Sequence, residues 1–306
     1  MTHREPPIAV SNDGASSYYG RPVVKPHVWK PYIPWYFWIG GTAGAAAVQC
    51  IAARARGEHG LARAYKRTAL AGVLIAPPLL IADLGVPSRF LNMLRVFKPT
   101  SPMSVGSWIL TFFGGAVTAS TAAEILGWER TSRALEVASA LLGPPLTVYT
   151  AVLLSDTATP VWHAAYEDLP HVFAASGMAG AAAMGVLFAP AAENRMARRL
   201  MTLGALALPI GGQVMEKRLG AFFSEPYRQG KGGSFRRASG ALAFTGAAIA
   251  IAGGRNATLA KAAAVCVAAA GVFERFAVMA AGKQSAHDPK YTVKPQRERL
   301  AQDGGA

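Results

Sequence analysis

The sequence predicts an all-α membrane protein of eight transmembrane helices, and three observations carry that expectation. The 306 residues are 52% hydrophobic and only 16% charged, whereas ordinary soluble domains are about 25% charged. The apolar residues fall in blocks of about 20, the length that crosses roughly 30 Å of hydrocarbon. The cations, which give a formal charge of +14, lie between those blocks, where Lys and Arg meet anionic headgroups and set topology. On a soluble chain such a charge would indicate nucleic acid. Its placement here argues against nucleic acid and makes membrane lipid the expected contact.

Residues 1–32 are rich in Pro, polar and basic residues and are expected to form an extended arm. No apolar stretch of signal-peptide length precedes Ile33, so no cleavable signal is expected. The eight-helix domain spans 33–281. Its first block, about 33–53, opens with Trp35-Tyr36-Phe37-Trp38 and continues as GGTAGAAA. The aromatic cluster marks a lipid–water boundary, and the small residues permit close helix approach. The second block, about 68–84, holds Pro77-Pro78, and the fourth, about 132–155, holds Pro144-Pro145. Such prolines kink a helix and free backbone carbonyls; the helix either borders a cavity or simply bends.

The third block, about 103–128, runs from Ser104, Ser107 and Trp108 to Glu124 and Trp128. The fifth to eighth are about 171–191, 199–218, 238–253 and 259–281. The stretch SEPYRQGKGGSFRR between the sixth and seventh has Gly, Lys and Arg but no strand–turn–helix context. It reads as a linker, not a phosphate loop. Residues 282–306 form a polar tail. Eight spans place both termini on one side, and the near balance of Lys and Arg between the two sets of loops leaves orientation open.

In this topology Tyr36, Asp83, Arg89, Lys98, Tyr149, Asp156 and Trp162 all fall at one membrane face, with Trp108 opening the helix that follows Lys98. A shallow cavity among the first four helices would have apolar walls and few hydrogen-bonding groups, the usual make-up of a small-molecule site. A quinone fits that profile, since its ring needs donors to two carbonyls and its reduction needs two protons. Tyr149 is the candidate donor and Asp83 the candidate proton carrier, the two catalytic candidates. Duller readings stand beside these: Asp83 pairing Arg89 to fix a turn, and Tyr36 and Tyr149 as interfacial anchors. Glu124, Glu136 and Glu216 sit near span ends and are expected to be solvated or paired.

Other chemistries lack their residues. All six histidines lie in tails, loops or span ends, so no helix offers the central axial ligand of a membrane haem. Cys50 and Cys266 form no CxxC pair and read as buried small hydrophobes, so no iron–sulfur cluster or other metal is expected in this chain. No HExxH, GxSxG, CxxCH or Walker sequence is present.

The pieces ADLGVPSRFLNML, PTSPMSVGSWIL, YTAVLLSDTATPVWH and GVFERFAVMAAGKQSAHDP, with YIPWYFWIGGTAGA at the first helix, resemble the membrane subunit of polysulfide reductase and its NrfD-like relatives. The resemblance runs over about residues 29–291. It implies an eight-helix subunit of the plasma (inner) membrane without a fixed cofactor, its quinone held among the first four helices. That subunit would exchange electrons between the quinone pool and a ferredoxin-like iron–sulfur subunit, which serves a molybdopterin or multihaem catalytic subunit. Tyr149 matches the family's site tyrosine, with Ala151 where Gly is usual. Ile33 and Tyr36 stand where some members have Asn and His, and His163 follows Trp162 where some have Asn. Two other readings remain: a secondary transporter, which the chain's lack of an evident inverted repeat disfavours, and a passive anchor for a soluble enzyme.

Overall fold

The computed structural model describes residues 22–25, 27–254 and 256–303, and among them there are helices and no strands. The helices are α1 (Tyr32–Ala55), α2 (His59–Asp83), α3 (Pro102–Ile125), α4 (Glu129–Ser155), α5 (Pro160–Ala164), α6 (Leu169–Phe188), α7 (Arg195–Arg228), α8 (Gly230–Ala252), α9 (Ala257–His287) and α10 (Lys290–Asp303). A 3₁₀ helix, Pro87–Leu94, lies between α2 and α3. Residues 1–21 of the expected arm fall outside the described residues.

Six helices are long and apolar enough to cross a membrane: α1, α2, α3, α4, α6 and α9. The other two expected spans fall on α7 and α8, which are long but more charged. The apolar centre of α7 is confined between Arg199 and Glu216, and that of α8 begins only after Arg237.

Helix starts follow local chemistry. Ser101 caps α3 by accepting from the Ser104 amide at 3.4 Å, and Pro102 needs no such partner. The Ser104 hydroxyl in turn donates to the Val96 carbonyl and accepts from the Lys98 amide at 3.0 Å. Thus the Ser-Pro-Met-Ser stretch pins the loop entering α3. Asn256 caps α9, its Oδ1 accepting from Thr258 and Leu259. The paired prolines do not end their helices: α2 and α4 each run through them. The interruption falls instead in α7, at Gly220, where φ is 68°.

The helices extend past the blocks read from hydropathy. α2 begins at His59, so most of the basic stretch before Thr68 is helical. The stretch read as a linker, SEPYRQGKGGSFRR, is helical except around Gln229. Hydropathy marks where a helix meets hydrocarbon and not where its backbone pattern stops, so charged ends are missed. The tail likewise continues as α9 to His287 and then as α10. α10 is anchored where Glu225 accepts from Lys290 Nζ and the Tyr291 hydroxyl, each at 3.0 Å.

α1 to α4 form a closed set, α1 on α2, α2 on α3, α3 on α4 and α4 on α1. α6 to α9 form a second, and the two sets meet where α6 packs on α1 and α4 and α9 packs on α1. α1 is therefore the central helix, and its stripe of Gly and Ala makes that possible. At the α1–α4 crossing, Gly44 and Gly143 face one another so closely that a Cβ on either would strike the other's carbonyl. The bundle has two ends. The arm face carries Tyr32, Asp83, Pro102 and Ser155; the distal face carries Ala55, His59, Ile125 and Glu129.

Near the distal face the chain buries charge in pairs. Glu136, its side chain 4% exposed, accepts from Arg54 Nη2 at 2.7 Å and lies 3.0 Å from Lys66 Nζ. Lys66 also binds Glu124 and donates to Ser132 at 3.0 Å. In the second set, Arg236 bridges Glu216 at 3.0 Å and Glu274 at 3.4 Å. Glu124, Glu136 and Glu216 are thus paired. A buried pair broken on one side costs about 3–5 kcal/mol, while an exposed one is worth at most about 1 kcal/mol. Glu136→Gln is therefore expected to cost about 3 kcal/mol in chemical denaturation of the detergent-solubilised chain. Glu129→Gln, which breaks the exposed pair with Arg133, is expected to shift stability by less than about 1 kcal/mol.

Candidate functional site

At the arm face the small-residue stripe of α1 gives way to Trp35-Tyr36-Phe37-Trp38, and the first four helices part around a cavity of about 80 Å³. α1 supplies Ile33, Tyr36 and Phe37, α2 supplies Leu80 and Asp83, α3 supplies Met103 and Ser107, and α4 supplies Tyr149 and Leu153. Leu84 just after α2, Met93 of the 3₁₀ helix and Trp29, which precedes α1, complete the lining.

The polar groups of the lining differ in how they are satisfied. Tyr36 is 3% exposed, and its hydroxyl has no hydrogen-bond partner among the described residues. Leaving a buried hydroxyl unpaired costs about 1–3 kcal/mol, and of the atoms left so among the described residues, the Tyr65 and Tyr227 hydroxyls included, this is the one on a residue lining this cavity. Asp83, half-buried, accepts from the Lys30 amide at 2.8 Å. It makes no ion pair with Arg89 among the described residues, so the expected turn-fixing pair is absent. Ser107 has turned inward, donating to the Met103 carbonyl at 2.8 Å. The ring of Tyr149 lies against Gly106, where any Cβ would overlap it. Glycine at 106 thus makes the slot in α3 that seats this ring.

Tyr36, Asp83 and Tyr149 are therefore brought together, and the remaining candidates Arg89, Lys98, Trp108, Asp156 and Trp162 are not among the residues lining the cavity. Arg89 and Lys98 are exposed on the connection between α2 and α3, and Asp156 is exposed at the end of α4. Trp108 faces sideways, its indole 6.4 Å from Phe97 and 5.5 Å from Phe112. Trp162 is fully buried; its Nε1 donates to the Val278 carbonyl at 2.8 Å. Its ring stacks on Trp29 at 5.8 Å with a 16° tilt. Trp162 thus acts on the cavity only through Trp29.

Ser107, one of the hydroxyls noted where the third block opens, does line the cavity, whereas Trp29 and Met93 are lining residues that sequence reasoning missed. Trp29 belongs to a strap, residues 27–30, that crosses the arm face. The Lys30 amide holds it to α2 through Asp83. The Trp29 carbonyl accepts from Lys283 Nζ of α9 at 2.5 Å. His27 Nδ1 shares a hydrogen bond of 3.3 Å with Thr159 Oγ1, just before α5. Its ring lies 4.6 Å from Trp29 and 5.5 Å from Trp162. Partial burial, and next the charge of Lys283, hold the His27 imidazole below its usual 6.5. Asp83 is thus both a wall of the cavity and an anchor of the strap that covers it.

A family model described as Polysulphide reductase, NrfD, matches residues 23–216. No curated protein matches the chain. The matched stretch takes in every residue lining the cavity and ends inside α7, before Lys283.

Because the imidazole of His27 titrates lower when docked than when free, the detached strap binds a proton first. Docking is at full strength above pH 6.5 and weakens as pH falls through the docked value. Amide hydrogen exchange, corrected for intrinsic rates, is expected to show the protection of the Lys30 amide falling between about pH 7 and pH 5. His27→Gln is expected to flatten that dependence.

Proposed function

The chain belongs to the polysulphide reductase NrfD family, and from that premise we propose that it is the quinone-reactive membrane subunit of a redox complex. In this reading it exchanges electrons between the quinone pool and an iron–sulfur partner, which serves a molybdopterin- or multihaem-type catalytic subunit. The observation that carries the reading is the buried, unpartnered Tyr36 hydroxyl in an apolar cavity that also holds Asp83 and Tyr149.

A bound quinone would supply two-electron, two-proton chemistry, and the chain would supply orientation, proton handling and exclusion of water. The hydroxyls of Tyr36 and Tyr149 would donate to the two ring carbonyls. Asp83, at the arm-face end of α2, would take up and release protons between the cavity and water. Leu80, Leu153 and Phe37 would exclude solvent. The cavity of about 80 Å³ is below the roughly 300–1,000 Å³ of common ligand pockets, so entry requires Met93 and Met103 to swing aside. Both are unbranched and adaptable, and Met93 lies on a 3₁₀ helix none of whose residues is buried.

The exposed cations Arg89, Arg95 and Lys98 would then face an acidic partner surface at the arm face, a better use for them than ligand contact. α7 and α8 would complete an eight-helix body, since α7 packs on α6 and α9, and α8 packs on α9 and α7. The chain would lie in the plasma (inner) membrane with both termini on one side.

Asp83→Asn retains an oxygen for the Lys30 amide but cannot carry a proton. It is expected to lower quinol-linked turnover of the assembled complex by about 100-fold. Tyr36→Phe and Tyr149→Phe are each expected to weaken binding of a quinone analogue about three- to tenfold. Assembly of the complex should be unchanged in all three. Unaltered turnover in all three would make the chain a passive anchor.

A further inference from the structure

The lipid-facing side of α2 separates its three neighbouring cations. Lys66 is buried and held by Glu124 and Glu136. Arg63 and Arg67, one turn apart, are exposed, and neither has a carboxylate or hydrogen-bond acceptor among the described residues. Toward the bilayer centre the same stripe becomes apolar, with Leu74 62% and Ile75 48% exposed.

Two grooves flank Arg67, which lines both. One, of about 460 Å³, runs along Ala64, Ala71 and Ile75 of α2 against Ile39 of α1 and Met184 and Phe188 of α6. The other, of about 350 Å³, lies on the α3 side against Leu70, Thr121 and Ile125. Glu124 also lines the second groove, but its charge is met by Lys66. From Ala64 to Ile75 the first groove rises about 16 Å at 1.5 Å per residue. That is the depth of one leaflet of a hydrocarbon layer roughly 30 Å thick.

We propose that Arg63 and Arg67 hold the phosphate of an anionic two-chain phospholipid in the distal leaflet, with one acyl chain along the first groove and the other leaving the head over Leu70 and Ile125 of the second. The head is cationic and unpaired, the first groove is lined mainly by apolar side chains and its rise matches an acyl chain lying along the membrane normal, and the second offers Leu70, Thr121 and Ile125 beside the head. A transmembrane helix, about 10 Å wide, could not enter both grooves while Arg67 stands between them. A zwitterionic lipid would bring its ammonium toward two guanidinium groups. This site lies in the leaflet away from the cavity and is independent of what the cavity holds.

The full chain, purified in mild detergent, is titrated with phosphatidylglycerol, phosphatidylcholine or inorganic phosphate and read by native mass spectrometry. One phosphatidylglycerol per chain is expected to be retained in preference to phosphatidylcholine, and inorganic phosphate is expected not to displace it. Arg67→Gln and Arg63→Gln should each weaken that binding about fivefold. Ala71→Trp, which fills a groove and keeps both charges, should also reduce it. Arg130→Gln, an exposed arginine at the distal start of α4, serves as the control and should leave binding unchanged. Equal binding of the two lipids, displacement by inorganic phosphate, unchanged binding in Arg67→Gln, or an equal loss in Arg130→Gln would each overturn the proposal.

Discussion

The near-contact of Gly44 on α1 with Gly143 on α4 is the constraint from which the rest of the architecture follows. Helices in lipid gain little from hiding apolar surface and are held by close packing. A central helix must therefore be thin, and α1 is thin through its middle. It touches α2, α4, α6 and α9 because Gly and Ala occupy that stretch. At its arm-face end the side chains become Trp, Tyr and Phe, and the same four-helix set can no longer close. The cavity is the space that opens where α1 changes from small to large.

Polar side chains then divide by whether the chain satisfies them. Near the distal face Lys66, Arg54, Glu124 and Glu136 complete one another, and in the second helix set Arg236 does so with Glu216 and Glu274. These are stabilising devices in a medium where a lone charge is costly. The Tyr36 hydroxyl and the guanidinium groups of Arg63 and Arg67 have no such partners among the described residues. The first faces a closed apolar slot and the others face the boundary of the bilayer. That difference in surroundings is why the proposals made above give a quinone to one and a lipid headgroup to the others.

Much of this was legible in the amino-acid sequence, because spans are counted from apolar length and alternate in direction. Tyr36, Asp83 and Tyr149 could be placed at one face from their positions near span ends. The direction a side chain takes around its helix axis was harder to read. Trp108 and Asp156 share the right depth with Tyr149 yet point elsewhere, since depth depends on residue number and azimuth depends on packing. Arg89 and Lys98 lie on a connection whose path hydropathy does not describe. Trp29 was missed because an arm of polar and Pro residues gives no periodicity, although a lone Trp two residues after a His was the available signal. Met93 gave none.

The strap has a consequence for biosynthesis. Its carbonyl at Trp29 is held by Lys283, and its stacking partner Trp162 is itself bonded to Val278. The chain emerges from the ribosome N-terminus first, so more than 250 residues separate the making of the two ends of that clasp. Until α9 has been made, the strap has its bond to Asp83 and its contacts with Thr159 and Trp162, but not the Lys283 bond. The clasp over the cavity is therefore completed only when the last long helix supplies Lys283.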